Sequence, residues 1–144
     1  MNLFGMLEMS GSALGAERQR AEVVASNMAN AQTTHTPGGG PYRRQMVVFQ
    51  AQRVPRFSLA LAGVQRETSS AVRVAAVVSD TRAPVLRFEP GHPDADAQGY
   101  VAYPQVDPAE EMTDLLGAVR AYELNASAIQ ATKGMITQSL DLLR

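Results

Sequence analysis

Residues 107–143, DPAEEMTDLLGAVRAYELNASAIQATKGMITQSLDLL, decide the fold. Asp107 is a good N-cap, Pro108 suits the first helical position, and Glu110 falls at the third. From there Met112, Leu115, Val119, Tyr122, Ala126, Ile129, Lys133, Ile136, Leu140 and Leu143 recur at a 3-4 spacing, and all but the lysine are apolar. This pattern predicts one helix of about 36 residues, on the order of 54 Å long at 1.5 Å per residue. That exceeds the width of a small domain, so the stripe needs a partner along its length.

The other end of the chain offers one. Residues 1–31 contain no proline, and Leu3, Leu7, Ser10, Leu14, Glu17, Ala21, Val24, Met28 and Ala31 fall on a single stripe, seven of the nine apolar. Gly5, Gly11 and Gly15 each weaken this helix by about 1 kcal/mol relative to alanine. It is therefore expected to be marginal alone and to order against partners. Between the helices the period changes. Residues 32–41, QTTHTPGGGP, break any helix and mark a boundary. Residues 42–106 hold short valine-rich segments, Met46–Phe49 and Val72–Val78, with Val85–Phe88 and Tyr100–Tyr103 as further strands. A turn-rich connection lies between the last two, and residues 53–70 read as an irregular, partly mobile loop. The expectation is an α+β chain: helix 1–31, loop 32–41, a small β-rich middle domain 42–106 and helix 107–144, the terminal helices pairing as an antiparallel coiled coil that buries both stripes.

Composition narrows the function. The chain has 144 residues, 45% of them hydrophobic and 19% charged, which suits a folded chain and not a disordered one. The absence of cysteine excludes a disulfide scaffold, a Cys-ligated zinc and a thiol nucleophile. The start lacks the basic segment of a secretory signal peptide, and no apolar run approaches the ~18 residues of a membrane span. On composition alone this reads as a cytoplasmic domain. The formal net charge of −1 is divided very unevenly. Between Tyr42 and Arg87 eight arginines face Glu67 and Asp80, a block of +6, and between Phe88 and Glu123 eight acids face Arg120, a block of −7. Such blocks can pair internally or join neighbouring copies.

Few residues suggest chemistry. His92, Asp94 and Asp96 are metal-ligand types, but two carboxylates in a turn do not make a hard-cation cage, and Asx-type turn bonding explains them better. Ser10, Ser12, Thr33 and Thr34 have no base nearby in sequence, and Gly38–Gly40 precede a proline instead of the Lys-Ser/Thr of a phosphate loop. No catalytic, cofactor or metal residue is expected. Two polar features stand out: Asn27 and Asn30 near the end of the first helix, and Asn125 beside Tyr122 in the second stripe. Asparagine there ends a helix or bonds across a helix contact and sets register. The expected seam and assembly positions are Leu3, Leu7, Leu14, Ala21, Val24, Asn27, Met28 and Asn30 in the first helix. In the second they are Met112, Leu115, Val119, Tyr122, Asn125, Ala126, Ile129, Ile136, Leu140 and Leu143.

These same residues carry a resemblance. ASNMANAQTT (25–34), followed by TPGGGPYRR (36–44), resembles the N-terminal signature of the bacterial flagellar rod and hook family. PGHPDAD (90–96), Gly99-Tyr-Val101 and Tyr103-Pro104 resemble the middle of a rod protein; Glu110-Glu-Met112 and Arg120-Ala-Tyr-Glu123 with Asn125 resemble the family's C-terminal helix. The resemblance implies a non-catalytic structural subunit of the proximal rod that polymerises through its terminal helices into a hollow shaft. Its implied partners are copies of itself, the rod proteins FlgB, FlgF and FlgG, the rod-base adaptor FliE and the flagellar type III export apparatus, with no nucleic acid. Its implied place is the periplasmic rod of the basal body, reached without cleavage of a signal peptide. The residues read alone leave two other classes open: a closed homo-oligomeric coiled-coil scaffold, and a small metal enzyme using His92, Asp94 and Asp96.

Overall fold

The computed structural model describes residues 3–54 and 69–142. Two long helices, α1 (Leu3–Ala29) and α2 (Pro108–Asp141), enclose four strands: β1 (Gln45–Val54), β2 (Ser69–Ser79), β3 (Val85–Phe88) and β4 (Tyr100–Tyr103). The class is α+β, as the sequence leads one to expect. The α2 start follows its sequence signal: the Asp107 carboxylate accepts the Ala109 N–H at 2.9 Å, with Pro108 in the first turn. Among the described residues no helix is long and apolar enough to cross a membrane.

The helices pair antiparallel, since Asn27 near the end of α1 meets Glu111 at the start of α2, and Arg20 meets Asp114. Their seam differs from the expected one. Gly5, Ala16, Val24 and Asn27 of α1 are buried, and so are Glu111, Ala118 and Thr132 of α2, with Asn125 half-buried between them. Residues 111, 118, 125 and 132 recur every seven positions, which lays one straight line down α2. That line is turned roughly 60° from the centre of the apolar stripe, at 100° per residue. The stripe is therefore covered along one edge only. Leu115, Ala126, Ile129 and Ile136 are half-buried, while Met112 (46%), Val119 (44%), Tyr122 (43%) and Leu140 (62%) stay exposed. On α1, Leu3, Leu7, Leu14, Ala21, Met28 and the following Asn30 are half-buried. Leu143 lies outside the described residues. The physical reason is that small residues on the seam let the helix axes approach closely, and the charged anchor at Glu111 sets the rotation.

β1 and β2 form an antiparallel hairpin, from Gln45↔Ser79 to Val54↔Ser69, with a bulge at Val48/Phe49. It is longer than the valine runs predict, because ladder bonding carries polar Gln50 and Gln52 along with them. Of the segment read as an irregular loop, Arg53–Val54 and Ser69–Ser70 are strand ends, and 55–68 lie outside the described residues. The hairpin leans on α1, where the Val72 N–H donates to Ser12 Oγ at 3.0 Å. β3 and β4 form a second, separate pair. Val101 is fully buried on one face; Leu86 and Phe88 are exposed on the other, with Phe88 edge-on to Tyr100 at 5.4 Å. Gly99 turns the chain into β4 at φ 85°, and a Cβ there would lie 2.9 Å from the Phe88 ring.

Candidate assembly site

Where α1 ends, the chain builds a polar knot. The Asn27 side chain uses every hydrogen-bonding position it has. Nδ2 donates to Glu111 Oε2 and to the Gln45 carbonyl, both at 2.9 Å; Oδ1 accepts the Gln45 N–H at 2.8 Å and the Tyr42 hydroxyl at 3.0 Å. Asn30 works locally, donating to the Ser26 carbonyl at 2.9 Å and accepting from Thr33 Oγ1 at 3.2 Å. It ties off the last turn of α1 by offering a side-chain alternative to the helix ladder. Thr33 then accepts the Tyr42 N–H at 3.0 Å, which closes the proline- and glycine-rich loop into a tight excursion.

Glu111 is fully buried, and it survives there because Arg44 Nε donates to it alongside Asn27. Arg44 also reaches Glu110 at 3.2 Å and Asp114 at 3.4 Å, and Arg20 reaches Asp114 at 3.2 Å. Burial alone would pull the Arg44 pKa down; the bond to Glu111 and the charges of Glu111, Glu110 and Asp114 outweigh it and hold the pKa above its usual value. At this point the basic and acidic blocks of the sequence meet within one chain. Asn125 behaves differently from Asn27. Its Nδ2 donates to the Ala121 carbonyl of its own helix at 2.8 Å, as Thr132 Oγ1 does to Ala128. Only Asn27 of the noted asparagines bonds across the helix pair.

His92, Asp94 and Asp96 are turn residues here. Asp96 Oδ1 accepts the N–H groups of Gln98 at 2.9 Å and Tyr100 at 2.8 Å, an Asx-type closure of the β3–β4 connection. Asp94 accepts from Thr34 Oγ1 at 2.6 Å and so fastens the connection to the loop after α1. Among the described residues no three His, Cys, Asp or Glu side chains are grouped to hold a metal ion. Arg44 and Glu111 carry the knot, and sequence reasoning marks neither as a site residue. Their nearest signal is membership of the motifs TPGGGPYRR and Glu110-Glu-Met112.

Beside the knot lies the surface that remains to be covered. Met112, Leu116, Val119 and Tyr122 run along the outer flank of α2, all exposed. Leu124, Met135 and Leu140 add further exposed apolar side chains. A continuous exposed apolar band on a long helix marks a protein interaction surface.

Residues 7–34 match the family model described as flagella basal body rod protein, and residues 97–142 match that of the flagellar basal body rod FlgEFG protein C-terminal. The knot thus joins the two matched segments, through Asn27 and Glu111. A flagellar basal-body rod protein FlgC of Yersinia enterocolitica is 39% identical over 142 residues, covering 99% of this chain and 98% of the relative. One of Bacillus subtilis is 40% identical, covering 99% of each, and one of Borreliella burgdorferi 38%, covering 100% and 99%. The chain belongs to the FlgC family of flagellar basal-body rod proteins, and as such is a structural rod subunit and not an enzyme.

Proposed function

We propose that this subunit builds the proximal part of the rod by laying the outer flank of α2 against the terminal helices of its neighbours, so that the rod becomes a hollow shaft transmitting torque and conducting exported subunits. The observation that carries this reading is the division of labour on α2. Its small and polar residues Glu111, Ala118 and Thr132 serve the contact with α1, while Met112, Leu116, Val119 and Tyr122 stay outside. Burying one large apolar side chain fully contributes about 1.5–3 kcal/mol, so even a few of these per interface organise an assembly. The neighbours are copies of this chain, the rod proteins FlgB, FlgF and FlgG, and the adaptor FliE. The match of residues 97–142 to the FlgEFG C-terminal model supports the choice, because helices of like pattern pack in like ways. The subunit acts in the periplasmic part of the basal body, reached through the flagellar type III export apparatus without cleavage.

The test is Val119→Asp. Val119 is exposed, so a carboxylate there should change the unfolding free energy of the purified chain by no more than an ordinary surface substitution does, about 0.5 kcal/mol. In cells it should abolish rod completion. Normal flagella in that variant would overturn the reading.

A further inference from the structure

Among the described residues, nothing pairs with the outer edge of β1 in the β1–β2 hairpin beyond its first position. Peptide groups alternate in direction along a strand, and Gln45 points its N–H and C=O away from β2, because both are taken by Asn27. The same alternation directs the peptide groups of Val47, Phe49 and Ala51 outward, and the outward N–H of Val72, opposite Ala51, agrees with it. Among the described residues those three outward groups on β1 have no hydrogen-bond partner. Asn27 therefore does for the first position of this edge what a neighbouring strand would do for the rest. Edges left this way are normally blunted by lysine, proline or a covering loop. Residues 45–52 contain no charge and no proline, and Met46, Val48 and Phe49 expose apolar side chains.

The edge borders a groove of about 370 Å³ between α1, β1 and the start of α2. Its apolar wall is formed by Val23 and Val24 together with Val47 and Phe49. Its far end is acidic: among the described residues, Glu110, Glu111 and Asp114, with Glu17 close by, share only Arg20 and Arg44. Glu17 Oε2 accepts no hydrogen bond. Four carboxylates on two guanidiniums leave room for one more cation at the end of the strand.

We propose that the outer edge of β1 is a strand-addition site that takes an extended segment of a neighbouring rod subunit, with alternating apolar side chains and a basic side chain placed beside Glu110 and Asp114. Main-chain bonds to Val47, Phe49 and Ala51 hold the segment, and the acidic end selects its register. Antiparallel addition sets the segment's C-terminal end beside the start of β1. This rests on the rod reading for the source of the segment, but not for its chemistry.

The probe is a peptide, acetyl-TVTVTVR-amide, against the same peptide ending in glutamate, titrated into the full-length chain. The arginine peptide should bind, and the glutamate peptide should be weaker by about ten-fold or more. On binding, hydrogen exchange at the Val47, Phe49 and Ala51 amides should slow, while Met46 and Val48, already in the hairpin ladder, should change little. Val47→Pro removes an outward N–H and leaves the ladder donors in place, so it should lose binding that Val47→Ala keeps. Equal affinity for the two peptides would overturn the proposal. So would unchanged exchange at the three outward amides, a result that needs no variant to fold. A failure of the rod reading shows separately, as absence of the chain from purified basal bodies.

Discussion

Asn27 and Glu111 show how much one side chain can decide. Asn27 pairs with a strand through both groups of Gln45 and with α2 through Glu111, so it fixes the helix end, the hairpin start and the helix register together. Glu111 is tolerated without solvent because Arg44 supplies the opposite charge and Asn27 a second donor. Arg44→Ala should therefore destabilise the chain by about 3–5 kcal/mol in urea unfolding, since it strands a buried carboxylate. Adding Glu111→Gln to that variant should recover part of the loss, because the amide carries no charge to desolvate. A double variant no more stable than Arg44→Ala would show that the charge is not what Arg44 answers. The importance of Asn27 is legible in the sequence, where an asparagine, a poor former of helix interiors, stands near the end of the first helix. Its partners are not: Arg44 and Glu111 lie 67 positions apart, and the path of the intervening chain brings them together.

At the scale of the element, local pattern marked both helices and four short strands, though β1 runs five residues past its predicted end, because burial on one side imposes a 3.6 or a 2 repeat on whatever folds. Of the expected seam positions Val24, Asn27 and Asn125 fall on the line between α1 and α2, but most of the apolar ones lie to one side of it. The apolar stripe of α2 straddles the inner contact and the outer flank, and a count of apolar positions does not separate two faces about 60° apart. Variants do separate them. Ile129 is half-buried at the edge of the seam, so Ile129→Asp should lower the thermal midpoint of the isolated chain as well as block assembly, whereas Val119→Asp should only block assembly. Equal midpoints for the two would refute this division of α2. The second strand pair has its own weak point. At Gly99 a β-carbon would meet both an unfavourable φ and the Phe88 ring at 2.9 Å. Gly99→Ala should cost about 1–3 kcal/mol, read as a lower midpoint, and the aromatic NMR shifts of Phe88 and Tyr100 should move as the two rings separate.

At the scale of the whole molecule, the fold is a long helix pair with the β1–β2 pair packed against α1 and the β3–β4 pair tied to the loop after α1 through Thr34 and Asp94, so local stability should be graded along its length. In α2 the anchored start and the seam down to Thr132 are held against α1, whereas residues 137–142 are exposed throughout. Hydrogen exchange on the purified subunit should show protection highest over 111–125 and lowest over 137–142, rising along all of α2 in assembled rods. Strong, even protection of the whole helix in the free subunit would contradict the expectation that the terminal helices finish ordering on assembly. By itself the sequence determined the α+β class, the element order, the capped start of α2, and, by its family signature, the rod. Those follow from local chemistry: periodicity, capping, turn residues and the motifs quoted. Tertiary structure alone decided which face of α2 turns inward, that the basic and acidic blocks meet at Arg44, and that the outer edge of β1 has no strand partner among the described residues. Each of these depends on where distant segments come to rest, and a one-dimensional pattern records only what each residue prefers, not which neighbour supplies it.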